Sequence, residues 1–150
     1  LHGNVLIIGF GRMGKIASQA PLALGAKLSI IDIVDPDAIR ALEPYGFKVY
    51  HGDGSLADVL RSAGAPEADV IIVCVDDKKA ATRIVQSIRH NYPQVKVLVR
   101  AFDRRHTIEL VKSSPDYIVR ETFESALLLS HHAALALGVS EEEAEAWWNR

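Results

Sequence analysis

Gly9-Phe10-Gly11-Arg12-Met13-Gly14 decides the fold of this chain. The hexapeptide follows Asn4-Val5-Leu6-Ile7-Ile8, an apolar run short enough to be a buried strand. It opens Lys15-Ile16-Ala17-Ser18-Gln19-Ala20, which continues as a helix, and a second strand-like run, Lys27-Leu28-Ser29-Ile30-Ile31, ends on Asp32. Glycines are common in turns, so the hexapeptide alone is weak. Strand, glycine turn, helix, strand and an acid about 20 residues on together form the fingerprint of a dinucleotide or adenine-nucleotide crevice. Gly9 makes the tight turn, Gly11 lets the backbone approach a pyrophosphate, and Gly14 lets helix and strand pack closely. The N–H groups of Gly11 to Met13 are expected to face phosphate oxygens at a positive helix end. Arg12 either adds a charged contact there or stands solvated. The plainer alternative is a doubly wound domain that keeps its glycines for packing and has lost its ligand.

Asp32 is expected to accept hydrogen bonds from ribose hydroxyls and to repel a 2′-phosphate, which favours NADH or AMP over NADPH. Ile33 beside it departs from the polar residues often found there. Gly52-Asp53-Gly54 follows the third strand-like run, near the adenine end. Asp53 either binds the exocyclic amine or serves the turn before the next helix. Asp76 and Asp77 end the fourth run, where they border the crevice or cap a helix. The expected nucleotide-binding set is Gly9, Phe10, Gly11, Arg12, Met13, Gly14, Asp32, Ile33, Asp53, Gly54 and Asp76.

A chain of 150 residues, 49% of them hydrophobic, is about one domain with a sizeable core. Its net charge of −2 points neither to nucleic acid nor to anionic membrane. The single cysteine, Cys74, lies inside the apolar run Val70 to Val75 and reads as a buried inert thiol in a reducing cytoplasm. No apolar stretch is long enough to span a bilayer, and no signal peptide precedes the first strand. A strand that starts almost at once, with Met13 the only methionine, reads as a domain cut from a longer polypeptide.

Strand-like runs at Val5–Ile8, Leu28–Ile31, Lys48–Tyr50, Val70–Val75, Val95–Val99 and Tyr117–Val119 alternate with helical segments. That alternation predicts an α/β fold: a Rossmann-like doubly wound parallel sheet of about six strands. Right-handed crossovers favour the order 3-2-1-4-5-6. Asp35-Pro36, Ser55 with Asp58, Asp76-Asp77 and Asp103 supply helix start signals, and Gly25, Gly46 and Gly64 supply stops. Pro21 is expected to kink or break the first helix. Thr122 to Leu137 reads as a long helix capped at Thr122, with an apolar stripe through Phe123, Ala126/Leu127, Ser130/His131, Ala134 and Leu137 that has polar interruptions. Gly138 stops it, and Ser140 with Glu141-Glu142-Glu143 begins another helix carrying Trp147 and Trp148. Residues 1–120 are thus expected to form the nucleotide-binding core, and residues 121–150 a helical extension.

The glycine motif, Asp32 and Tyr50-His51-Gly52-Asp53-Gly54 together resemble the RCK/KTN (TrkA-N type) regulatory domains of potassium channels and transporters. Leu60-Arg61-Ser62-Ala63-Gly64-Ala65, Asp76-Asp77, Arg100-Ala101-Phe102-Asp103 and Arg120-Glu121-Thr122-Phe123-Glu124 narrow the resemblance. Over nearly the whole chain it is similar to the C-terminal domain of Kef glutathione-gated potassium efflux systems. That resemblance implies a homodimer built through the C-terminal helices. It also implies a parent membrane transport domain of cation–proton antiport type, a flavodoxin-like ancillary subunit, and a place on the cytoplasmic face of the bacterial inner membrane. The cofactor it implies is AMP or NAD(H), with glutathione as the regulatory ligand: glutathione keeps efflux closed and electrophile adducts of glutathione open it. Carried over by position, Arg120 holds a glutathione carboxylate, and Asp103, Asn149 and Phe123 belong to the same site. An Arg–carboxylate fork and an Asp–ammonium pair suit a ligand with two carboxylates and one ammonium. Arg120 otherwise pairs with Glu121 or Glu124. Arg100, Arg105, His106, His131 and His132 are further ligand-shell candidates with plain structural readings. Tyr45, Phe102, Phe123, Trp147 and Trp148 are candidate aromatic wedges against a bulky adduct.

The sequence also admits two rival readings. One is an RCK-type module gated by nucleotide alone. The other is a nicotinamide-dependent oxidoreductase. The latter is disfavoured because few residues follow the sixth strand and no Ser/Tyr/Lys or Cys/His arrangement has catalytic spacing.

Overall fold

A computed structural model describes residues 3–148 of the chain, with the side chain of Trp148 outside the description. Six parallel strands form one sheet in the order β3-β2-β1-β4-β5-β6. They are β1 (Asn4–Ile8), β2 (Lys27–Asp32), β3 (Phe47–His51), β4 (Val70–Val73), β5 (Lys96–Ala101) and β6 (Tyr117–Arg120). The intervening helices are α1 (Arg12–Ala17), α2 (Gln19–Ala23), α3 (Pro36–Arg40), α4 (Ala57–Ser62), α5 (Lys78–Asn91) and α6 (Arg104–Lys112). Two further helices, α7 (Glu121–Ala136) and α8 (Glu141–Trp148), follow the last strand.

Alternation along β1 divides the core between the two faces of the sheet. Leu6 and Ile8 join the larger cluster with Ile31, Leu60, Ile84, Val85, Ile88 and Leu110. Val5 and Ile7 join the other with Phe10, Leu28, Ile30 and Phe47. Helices cover both faces, so the central strands are apolar on both sides. Every strand is parallel, so all carboxyl ends share one edge of the sheet, with the switch point between β1 and β4.

Local readings hold or shift for identifiable reasons. Asp35, Asp77 and Asp103 cap α3, α5 and α6, each accepting from backbone N–H groups of the first turn. The first helix breaks at Ser18, three residues before Pro21. A proline lacks an N–H and clashes with the carbonyl four residues back, here Ala17, so the ladder ends there. Ser55 does not cap α4. Its hydroxyl donates to Asp53 Oδ1 at 2.7 Å, and the helix begins without a side-chain cap. Helix α7 starts one residue before the expected cap Thr122, directly from Arg120. β4 ends at Val73; Cys74 N makes a last bond to Ile8 O, and Cys74 and Val75 line a crevice.

Candidate functional site: the glycine-loop crevice and the Arg120 corner

Gly9 adopts φ +91°, a left-handed conformation, and a Cβ there would stand 2.8 Å from the Cys74 carbonyl. Gly14 is buried under the turn, where a Cβ would run into the Gly9 carbonyl oxygen. These two glycines close the loop on β1 and β4. Gly11 differs, because a Cβ there would meet nothing within 4 Å. Its missing side chain leaves open space on the ligand side. Helix α1 has neither a capping side chain nor an acid in its first turn, so its leading N–H groups have no partner from such a cap. That donor set and that space fit a phosphate.

The crevice beside Gly11 measures about 450 Å³. Gly9, Phe10, Gly11, Asp32, Ile33, Asp53, Gly54 and Asp76 all line it. Phe10 contributes backbone only, since its ring is buried edge-on against Phe47 at 5.3 Å. Asp32 Oδ2 accepts from Phe10 N at 2.7 Å, and Oδ1 accepts from Ile33 N and Val34 N. With about four acceptor positions on a carboxylate, one on Oδ2 is left for a ribose hydroxyl. Asp53 spends Oδ1 on the N–H and hydroxyl of Ser55, bonds that hold its carboxyl below the usual range. Ile33, 69% exposed, and Val34 form an apolar rim. Gly54 is required by packing, since a Cβ would come 2.5 Å from Ile8 Cγ2.

Arg12 and Met13 do not reach this crevice. They line a second cleft of about 230 Å³ that shares Gly11, Cys74 and Asp76 with the first. Four charged groups stand there. Arg12 pairs with Glu121 Oε1 at 3.5 Å, and Arg100 pairs with Glu121 Oε2 at 3.4 Å and with Asp76 Oδ1 at 3.0 Å. Asp76 and Asp77 therefore divide the two readings between them: Asp76 holds Arg100, and Asp77 caps α5. Burial pushes the Cys74 thiol up to about 11, so it is neutral.

The sequence reading missed several crevice walls: Val34, Val75, Ala80, Arg83 and Ile84. Cys74, apolar in its sequence context, is a crevice wall as well. The first turns of the helix after β4 were the available signal, because ligands at a switch point lie over that helix.

At the next corner of the same edge, β6 ends in register with β5, Ala101 opposite Arg120. The Arg120 guanidinium lies 4.0 Å over the Phe123 ring. It pairs with neither Glu121 nor Glu124 among the described residues; Glu121 belongs to Arg12 and Arg100. Arg120 Nε is buried without a hydrogen-bond partner. Asp103 is also on this edge, beyond β5, but both its oxygens are engaged. Oδ1 accepts from His106 N at 2.7 Å and Oδ2 from Lys78 Nζ at 3.0 Å, which lowers its pKa. Asn149 lies outside the described residues. Arg100 stacks on Phe102 at 4.4 Å, while Tyr45 precedes β3 at the opposite edge and cannot act as a wedge beside Arg120.

Helix α7 buries none of its 16 residues. Leu127, His131 and Ala134 of the expected stripe are half-buried, yet Leu128, Leu129 and Leu137 are exposed as well. Among the described residues no helix is long and apolar enough to cross a membrane, and no His/Cys/Asp/Glu group could hold a metal ion.

Comparison with known proteins agrees with this geometry. The TrkA-N domain family model matches residues 5–121. A glutathione-regulated potassium-efflux system protein of Haemophilus influenzae is 43% identical over 97% of this chain. The glutathione-regulated potassium-efflux system protein KefC of Cronobacter sakazakii is 39% identical over 94% of it. The chain spans 23% of the length of each of these relatives. The Shewanella denitrificans Kef CTD in AMP bound form superposes with a TM-score of 0.83 at 36% identity, covering 95% of this chain and 87% of that one. The chain belongs to the TrkA-N domain family, as a C-terminal regulatory domain of the Kef type.

Proposed function

We propose that this chain is the ligand-sensing part of a bacterial potassium-efflux protein of K+/H+ antiport type, lying on the cytoplasmic face of the inner membrane. It regulates and does not catalyse. AMP or NAD(H) binds in the glycine-loop crevice, glutathione at the Arg120 corner holds efflux closed, and bulky glutathione adducts open it. Two copies pair through α7, which leaves Phe123, Leu128 and Leu129 exposed and therefore needs cover. The parent membrane domain, and a flavodoxin-like ancillary subunit, are the further partners.

The observation that carries this reading is the orphaned Nε of Arg120. A buried donor left unmade costs about 1–3 kcal/mol. Stacking on Phe123 uses the face of the guanidinium and leaves its edge for a carboxylate in plane. A carboxylate ligand would take up that donor. A ligand shifts a two-state equilibrium only by its differential affinity, so an adduct's added apolar group must clash in the closed state alone. Phe123 and Phe102 are the aromatic side chains at this corner.

A bound nucleotide supplies an anionic phosphate and ribose hydroxyls at this edge. Asp32 ties the glycine loop to β2 through Phe10 N and presents its remaining acceptor to the ribose. The α1 terminus presents unpaired N–H groups to the phosphate.

Calorimetry of Arg120→Ala with glutathione tests the proposal. Affinity is expected to fall about thirtyfold or more, as for truncating one half of a buried charge pair. Unchanged affinity removes Arg120 from the site. The nucleotide-only rival draws on Asp103, whose two internal partners leave it poorly placed to hold an ammonium. A melting temperature raised by AMP but not by millimolar glutathione favours that rival.

A further inference from the structure

The two clefts that meet at Gly11 differ in charge, one acidic and one balanced, and the difference bears on which nucleotide the crevice accepts. Asp32 and Asp53 mark one side of the glycine loop, the side of β2 and β3. A nucleoside with its ribose on Asp32 and its phosphate at Gly11 would take the β2 and β3 side of that crevice. A group attached beyond the phosphate and directed toward β4 and β5 would enter the second cleft, past Arg12, Arg100 and Glu121.

Two arginines line that cleft, and both are neutralised within it. Glu121 splits its two oxygens between Arg12 and Arg100, and Asp76 takes the remaining edge of Arg100. Two arginines thus meet two carboxylates, and the neutral Cys74 thiol adds no charge. Arg100 is only 19% exposed at its side chain, and its face is covered by Phe102. Its charge is therefore poorly screened and firmly committed. A second phosphate entering here would meet the carboxylate of Glu121 and would have to displace it from both arginines.

We infer that Glu121 is a specificity-determining residue that selects a nucleoside monophosphate over a dinucleotide. It does so by neutralising Arg12 and Arg100 in the cleft where the second phosphate and second nucleoside would lie. The inference rests on the nucleotide reading of the crevice and sharpens it, because a crevice without this plug would accept AMP and NADH alike. Glu121 is also the first residue of α7.

Titration calorimetry of the 150-residue chain with AMP and with NADH tests this. The wild type is expected to prefer AMP. In Glu121→Gln the affinity ratio of NADH to AMP is expected to rise about fivefold, the scale of removing one partly exposed charge. Its AMP affinity should stay within about twofold. In Arg12→Gln, at a side chain 84% exposed and so safe for folding, the ratio is expected to fall about fivefold. Adding Arg12→Gln to Glu121→Gln should cancel much of the gain, which a merely structural role of Glu121 would not produce. AMP binding retained with the ratio unchanged in both single variants overturns the role of Glu121 and leaves the crevice assignment standing. A wild type that binds NADH as tightly as AMP overturns it too. A wild type that binds neither overturns both readings.

Discussion

Gly9 and Gly14 sit where no side chain fits, whereas α7 runs for 16 residues without burying one. The glycine-loop end of the sheet is complete within the chain: Gly9 N donates to Ile31 O, Phe10 N to Asp32, and Cys74 N to Ile8 O. The α7 arm is incomplete, with exposed leucines and an arginine that holds an unpaired donor. The first region is specified by close packing within the chain. The second leaves apolar side chains exposed, and under the proposed function a second copy covers them. A regulatory domain needs both kinds, one to hold shape and one to respond.

The sharpest way to break this comparison is at the two helical-turn glycines. Gly14→Ala forces Cβ onto the Gly9 carbonyl, a backbone atom that cannot rotate aside. A loss of about 3 kcal/mol in urea unfolding is expected, the upper range for overpacking. Gly11→Ala points into open space, so stability should change by less than about 0.5 kcal/mol while AMP affinity falls more than about tenfold. Equal stability losses in both variants would mean that Gly11 too is a packing glycine, and the crevice would lose its main support.

Along α7 the expected signs reverse. Leu129 is 74% exposed, so Leu129→Glu should leave the stability of the single chain within about 0.5 kcal/mol. If α7 is the dimer surface, the same change should turn a dimer into a monomer in sedimentation at micromolar concentration. A dimer that survives places the interface elsewhere, and a monomeric wild type removes it.

The same contrast explains what could be read from the chain. Strand alternation, the crossover rule and local acid caps are short-range signals. They located all six strands and their order, and they identified Asp35, Asp77 and Asp103 as caps. Ser55 with Asp58 failed because a nearer acceptor, Asp53, captured the hydroxyl. Cys74 and Val75 looked like strand because apolarity does not separate a strand from the wall of a crevice. Arg83 was missed because helical spacing shows a face but not what the face meets. By sequence proximity the partner of Glu121 is its neighbour Arg120. Its true partners come from α1 and β5, and no local pattern announces a pairing across the sheet.

The smallest expected effect concerns the boundary between the two regions. His106 is 1% exposed under α5 and β5. Its Nδ1 accepts from Phe102 N at 3.2 Å, and Nε2 stands 3.0 Å from Thr82 Oγ1. The Thr82 hydroxyl can donate to the Lys78 carbonyl at 3.1 Å, so Nε2 donates and the ring is neutral. Burial lowers its pKa from the ordinary 6.5, against the opposing pull of Asp103 and Glu109. The folded state thus binds this proton less tightly than the unfolded state. Its contribution is full above pH 6.5 and is lost as the pH falls below that value. Asp103, whose pKa is also lowered, adds a second loss only in the ordinary carboxylate range near 3.8 and below. Urea unfolding from pH 7 to pH 5 should therefore show a gentle positive slope of stability with pH in the wild type and a flatter one in His106→Gln. Because His106 bonds Phe102 N beside the Arg120 corner, glutathione affinity should weaken over the same range while AMP affinity holds. Parallel weakening of both ligands would mean that the two regions are one cooperative unit, and the contrast drawn between them would fail.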